Sequence, residues 1–301
     1  MILVFTFSLK AQDPHFTQTN RANIYLNPAS VGNLESWTVS HQYRDQWSNI
    51  TGSYVTNHTA VQYGFKKAFK GIGVHVLTDD AGSKIYTTRL SIPVAFGWEL
   101  SKSIRLNVGV EAAYIEKSVN WDNLTFGDMI DNKLGFVNNT SDTLYSTSVG
   151  NLDFSAGMEL VVAKLKFGIA GAHLTEPNES FFGNTSDAAN LPFKLSTYLN
   201  YDIFVGGNLI VTPSVLYLNQ RDFSNAMFST TTTYKFIKLM VGYRTNDAAI
   251  MGLAVHFNKF DIGYTYDLTT SQLTNETGGS HEVGIRFRFG KNKEGEFDNA
   301  F

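Results

Sequence analysis

One stretch, "YTTRLSIPVAFGW", limits the fold more than any other. Tyr86, Thr88, Leu90, Ile92, Val94, Phe96 and Trp98 alternate with Thr87, Arg89, Ser91, Pro93, Ala95 and Gly97. A period of two puts these sets on opposite faces of a β-strand. The run exceeds the roughly five or six residues usual in soluble strands and satisfies the roughly 9–11 that a tilted strand needs to cross a bilayer. Aromatics stand at both ends of the apolar face, where a membrane barrel carries its interfacial girdles. The other face, with one arginine and small residues, suits a packed or wet lumen.

The same alternation recurs. Ile104 to Tyr114 oppose Arg105, Asn107, Gly109, Glu111 and Ala113; Leu152 to Leu160 oppose Asp153, Ser155, Gly157 and Glu159. Phe260 to Leu268 oppose Asp261, Gly263, Thr265 and Asp267; Val283 to Phe289 oppose Glu282, Gly284, Arg286 and Arg288. A one-residue slip would turn every such charge into lipid, at about 2–4 kcal/mol for Lys or Arg at the midplane. Weaker runs included, the expected strands are 35–45, 53–65, 70–78, 85–98, 103–116, 149–161, 164–174, 193–204, 208–219, 225–236, 238–245, 248–258, 259–268 and 280–289. Links after even-numbered strands are short, such as "ELSKS"; those after the fifth, seventh and thirteenth are long, such as "TEPNESFFGNTSDAANLP". The fold expected is all-β: a transmembrane antiparallel β-barrel of about fourteen strands with a plug-like N-terminal segment. A soluble jelly roll or sandwich is the alternative, and it does not account for the long strands or the sorted loops.

Charged residues make up 17% and aromatics 14% of the chain, and the net charge is −3. That gives no nucleic-acid footprint and no polybasic membrane arm. The absence of cysteine excludes thiolate chemistry and disulfides. The opening "MILVFTFSLKA" reads as the apolar end of a signal peptide. The expected divisions are 1–11 signal peptide, 12–34 N-terminal periplasmic or plug segment, 35–289 barrel and 290–301 periplasmic tail. Within "QDPHFTQTNRANIYLNPASVG", Phe16, Ile24, Tyr25 and Leu26 would pack inside the lumen. Asn27 and Pro28 would turn the chain into the wall, with Gln12 on the side of the short turns.

Chemistry-bearing residues are few. The seven histidines, His15, His41, His58, His75, His173, His256 and His281, show no metal-ligand spacing. Ser280, His281 and Glu282 adjoin in sequence, but strand neighbours point apart and make no triad. Asp79, Asp80, Asp128 and Asp131 are loop carboxylates without the spacing of a calcium loop. No catalytic, cofactor or metal site is expected. Arg44, Arg89, Arg105, Glu111, Glu159, Asp267, Glu282 and Arg286 read as a lumen charge network of mixed sign, with a selective pore lining as the alternative. Trp121, Phe126, Asp128, Asp131, Phe136, Asn178, Phe181 and Phe182 on the long loops are candidates for partner binding. Self-packing over the barrel mouth is the competing reading for the aromatics.

Several blocks together resemble one family. "QDPHFTQTNRANIYLNPASVGN", "YRDQW" with Gly52, "GIGVHVLTDDAG", "LTFGDMIDNKLGF", "HLTEPNESFFG" and "YDLTTSQLTNETGGSHEVGIRFRF" are similar, in order, to the PorP/SprF outer-membrane proteins of Bacteroidota. The resemblance implies a role in type IX secretion and gliding motility. Its members either anchor a secreted surface adhesin by its C-terminal domain or serve the secretion machinery, with an OmpA-like peptidoglycan-binding lipoprotein as periplasmic partner and outer-membrane lipid around the barrel. No nucleic-acid partner and no cofactor is implied. A passive porin or solute channel is the alternative of another class.

Overall fold

The computed structural model describes residues 12–66, 68–121, 124, 126–131, 133, 135–136, 140, 146–183, 189–257, 259–270 and 277–289. The expected signal peptide (1–11) and tail (290–301) lie outside them. The strands are β1 (Trp37–Gln46), β2 (Tyr54–Gly64), β3 (Phe69–Ala81), β4 (Ile85–Ser101), β5 (Ile104–Val119), β6 (Ile130–Asp131), β7 (Gly135–Phe136), β8 (Ser148–Val162) and β9 (Leu165–Ala172). They continue with β10 (Lys194–Tyr201), β11 (Ile203–Gly206), β12 (Leu209–Gln220), β13 (Phe223–Tyr234), β14 (Ile237–Arg244), β15 (Ala248–Phe257), β16 (Phe260–Thr269) and β17 (Ser280–Phe289). β6 and β7 pair only with each other, inside the longest loop. The other fifteen form one antiparallel sheet, in which β10 and β11 both pair with β12 and share one position. Fourteen positions therefore remain, as the alternation predicts.

The sheet closes on itself. β1 pairs with β17 from Trp37↔Phe289 to Gln46↔Ser280, and β10 pairs with β9 on one side and β12 on the other. Closure leaves no unpaired edge, the condition for strands to sit in lipid. Each expected span overlaps its strand; only 193–204 is divided, at Asp202 between β10 and β11. The outer face is apolar and bare, with Leu152 at 68% exposure and Val241 at 62%. Rings cluster at the short-turn rim, where Trp37 meets Tyr63 at 4.9 Å, Phe69 meets Phe96 at 5.5 Å and Phe287 meets Phe289 at 4.7 Å. Tyr43, Tyr54, Tyr86, Tyr114 and Tyr243 are exposed toward the long-loop rim. Two aromatic belts on an apolar band fit a bilayer's two interfaces.

Residues 13–34 run through the interior before β1 begins. The segment contains one α-helical turn, α1 (Asn23–Leu26), and a 3-10 turn at Pro28–Ser30 whose N-cap Asn27 accepts from the Ala29 amide at 2.9 Å. Asn27, Ala29 and Val31 have no exposed surface.

Candidate functional site

The inner segment and the wall around it share one hydrogen-bonded network. At the long-loop end, Asp13 accepts from His173 at 2.8 Å and Lys194 at 3.2 Å, and its amide donates to Gln220 at 2.9 Å. His173 and Lys194 flank the long connection between β9 and β10, and Gln220 ends β12 on the same rim. Asp13 thus lies beneath the long loops and the segment descends from there, whereas the sequence suggests Gln12 on the side of the short turns. The usual placement of barrel termini does not allow for a segment that crosses the lumen before its first strand.

Lower down, the Thr17 and Gln18 amides donate to the two Glu282 oxygens at 2.8 and 2.9 Å. Arg44 and Arg244 each reach Asp267 at 2.8 Å, and Arg44 reaches Glu282 at 3.2 Å. Arg21 binds Asp261, and Arg286 donates to Asn20 at 2.6 Å. The Asn27 side-chain amide donates to the Met158 carbonyl at 3.0 Å, and the Ser30 hydroxyl donates to Glu159 at 3.1 Å. Lys70 donates to Asn33 and, at 2.7 Å, to the Ala29 carbonyl, just before the chain joins β1. Of the residues expected to fill the lumen, Phe16, Ile24, Asn27 and Pro28 are buried and Tyr25 and Leu26 half-buried. Phe16 meets Tyr25 edge to face at 5.8 Å, and Leu26 packs on the Leu216 and Met227 cluster.

The wall makes room for this path. A Cβ at Gly109 would collide with the Ala29 backbone, one at Gly157 with the Asn27 side chain, and one at Gly263 or Gly284 with the Arg21 side chain. All four glycines have the inward parity of the charged residues. That shared parity was the sequence signal for the segment's route.

A second chain of groups runs around the upper lumen. His58 meets His75 at 3.3 Å; His75 and Arg89 each hold Glu111 at 2.8 Å; and Arg89 lies 3.5 Å from Asp153. Asp153 holds His173 at 2.8 Å, which leads back to Asp13. Burial opposes charge on His173, but Asp13 and Asp153 outweigh it and raise its pKa to about 9. Burial likewise works against ionised Asp13, yet His173 and Lys194 hold it well below the usual carboxylate range.

Arg44, Arg89, Glu111, Glu159, Asp267, Glu282 and Arg286 are all buried in the lumen. Arg105 is not: it has their parity but stands exposed one residue beyond the start of β5, outside the packed interior. Alternation gives a residue's face and not its depth. His281 turns outward to the Tyr264 hydroxyl at 2.7 Å while Glu282 points inward, so the adjacent pair is split between faces. Asp79 and Asp80 are not loop residues but end β3: Asp79 accepts from Thr56, its partner across the β2–β3 ladder, and only Asp80 serves the turn, accepting from the Ser83 amide.

On the long-loop side, Trp121 and Phe126 pack against each other at 4.5 Å. Asp128 accepts from Thr140 at 3.0 Å, and Asp131 from the Lys133 amide at 2.8 Å. Asn178 donates to Asn190 at 2.8 Å and accepts from Asn151 of β8 through its carbonyl, and Lys117 of β5 holds Glu179 at 2.7 Å, so Asn178, Glu179 and Asn190 are tied to the wall. Phe181 is half-buried, and Phe182 is exposed at 57%. The Phe136 backbone pairs with Ile130; its side chain lies outside the described residues.

A closed fourteen-position barrel with an apolar outer band, aromatic rims and a polar interior is an integral, multi-pass protein of the outer membrane. Solved structures agree on the fold. The toluene transporter TbuX of Ralstonia pickettii matches with a TM-score of 0.52 at 12% identity over 90% of this chain and 94% of that one. The toluene transporter TodX of P. putida gives 0.51 at 12% identity over 88% and 93%. A comparison with curated protein sequences finds no match. The family model for the type IX secretion system membrane protein PorP/SprF matches residues 8–287, and the chain belongs to that family.

Proposed function

We propose that this barrel binds and holds a secreted surface protein, an adhesin, through that protein's C-terminal domain, and that it is neither an enzyme nor an open channel. The observation that carries the reading is the inner segment. Its buried, hydrogen-bonded course from Asp13 to Asn33 acts as a plug in a lumen that would otherwise be wet. With passage through the middle obstructed, protein contact falls to the long-loop face. There Phe182 and Ile130 stand exposed, with Trp121, Phe126, Asp128, Asp131, Asn178 and Phe181 around them. Aromatic anchors in a rim of Asn and Asp suit a protein partner. An OmpA-like peptidoglycan-binding lipoprotein would meet the short-turn face. A place in the core secretion and gliding machinery is the variant of this reading that has the lipoprotein as its main partner.

A solute channel is the second reading, and one observation favours it. A cavity of about 40 Å³ lies between the segment and Leu216, Met227 and Met240, and one of about 20 Å³ lies above it beside Leu218. Co-purification of the tagged barrel in mild detergent separates the readings. Recovery of a secreted protein that is lost on Phe182→Ala supports holding. Recovery of neither a secreted protein nor a lipoprotein overturns it.

A further inference from the structure

Outside the lumen, charge is sorted by end. Among the described residues, exposed lysines stand on five short turns: Lys66, Lys102, Lys164, Lys235 and Lys259. Three of them have a carboxylate close by. Lys66 lies 3.3 Å from Glu35; Glu99 stands opposite Arg105 beside the Lys102 turn; and the Asp202 amide donates to the Lys164 carbonyl at 3.0 Å. The turns of Lys235 and Lys259 differ. From Ile203 to Phe260 the carboxylates of the sequence are Asp222 and Asp247, and both lie on connections at the opposite end of the barrel.

These two turns are neighbours. β14 pairs with β15 from Ile237↔Val255 to Arg244↔Ala248, so the turn that opens β14 and the turn that follows β15 lie side by side on the short-turn rim. Phe236, next to Lys235, stacks on Phe257, two residues before Lys259, at 5.8 Å and 17° between planes. The His256 amide donates to the Phe236 carbonyl at 2.7 Å and fastens one turn to the other. Both rings are exposed, Phe236 at 47% and Phe257 at 58%. Lys235 lies over the outward-facing ring of Tyr234 at 5.4 Å, which sets its ammonium against the aromatic belt. Two lysines therefore flank one exposed pair of rings on the outer surface.

We propose that this patch is a binding site for one phospholipid of net negative headgroup, drawn from the leaflet at the short-turn end. Lys235 and Lys259 hold the headgroup phosphate, and Phe236 and Phe257 carry the upper part of the acyl chains. An ammonium binds phosphate as a point charge, and its flexible stem lets two lysines converge from neighbouring turns. A zwitterionic headgroup brings an ammonium of its own to the same place, where two lysines repel it. The rings continue the belt that borders lipid, so the occupant has chains as well as charge.

The test is native mass spectrometry of the full chain, carried in detergent micelles with equal amounts of phosphatidylglycerol and phosphatidylethanolamine. Phosphatidylglycerol is expected to be retained at least about fivefold more, the effect of about one lysine at an anionic lipid surface. Lys235→Gln with Lys259→Gln should bring the two lipids to equal retention. Lys102→Gln with Lys164→Gln removes the same charge from two turns that have carboxylates beside them, and it should leave the preference unchanged. Phe236→Ala should lower retention of phosphatidylglycerol. Excess sn-glycerol 3-phosphate, which has the charge without the chains, should displace none of it. Heat-shifted gel mobility of each variant is the control for folding. Equal retention of the two lipids by the unsubstituted barrel overturns the proposal. So does a preference lost equally with either lysine pair, which is the response of a diffuse basic rim. Displacement by glycerol phosphate overturns it too, because the site then reads a soluble anion.

Discussion

The inner wall has two unlike regions. Between β16 and β10, by way of the β17–β1 closure, the segment is stitched to the wall by carboxylates, guanidiniums and amides, from Asp261 and Glu282 through Gln62 and Lys70 to Glu159 and Lys194. From β12 to β15 the middle of the wall carries an apolar cluster, Leu216, Leu218, Met227, Met240 and Ile250, set among uncharged side chains such as Thr212, Ser229 and Thr231. There the segment leans on Leu26 and leaves two small cavities, and its polar ties are to Gln220 and Arg244 at the upper ends of β12 and β14. Hydrogen-bonded ion pairs fix position; apolar contact without close fit only fills space. The segment is therefore held from one side, and any passage past it lies along the other.

The largest expected effect removes both contacts. Deleting Asp13 to Asn27 should take the barrel from near silence to a conductance at least about tenfold higher in planar bilayers, since fourteen strands are too many for wall side chains alone to fill. An unchanged, silent barrel would count against the plug. Next comes the stitched side: Arg44→Met strands Glu282 beside a half-compensated Asp267. It should cost about 3–5 kcal/mol in denaturant unfolding from lipid vesicles. The apolar side should respond less, because its side chains already border a void. Met227→Ala should cost about 2 kcal/mol and add a small leak of ions, read in the same two assays. A larger loss there than at Arg44 would reverse the comparison.

The smallest effect concerns the top anchor. His173 has a folded pKa of about 9, above its ordinary 6.5. Its contribution is fully present below about 6.5 and is lost as pH rises through about 9. A fluorophore on Gln12→Cys should thus become more accessible to acrylamide between pH 7 and 10. His173→Asn should abolish that pH dependence.

The wall was legible in the sequence because lipid on one side and a polar lumen on the other impose alternation on every strand. Ile85–Ser101 and Phe260–Thr269 needed nothing else. The segment was legible only as an oddity, an apolar but unpatterned run, because its partners are scattered over the whole chain. Glu282, Met158 and Lys70 carry no local mark of a shared neighbour. Inward glycines such as Gly157 and Gly284 marked the route, but a glycine in a strand reads equally as a bulge or a bend. The depth of Arg105 and the height of Asp13 were hidden for a related reason: parity says nothing about position along the barrel axis.

The bond from the Thr17 amide to Glu282 joins residues 265 positions apart. The last two strands of the sheet also supply Asp261 and Asp267, so the segment's main partners on that side lie 240 to 265 residues after it in the chain. Until β17 reaches β1, those acceptors have no closed wall to hold them. Contacts of such long sequence separation form slowly. A segment that precedes every strand of the wall is therefore among the last parts to be fixed, and Thr17 and Gln18 cannot settle on Glu282 before the barrel has closed.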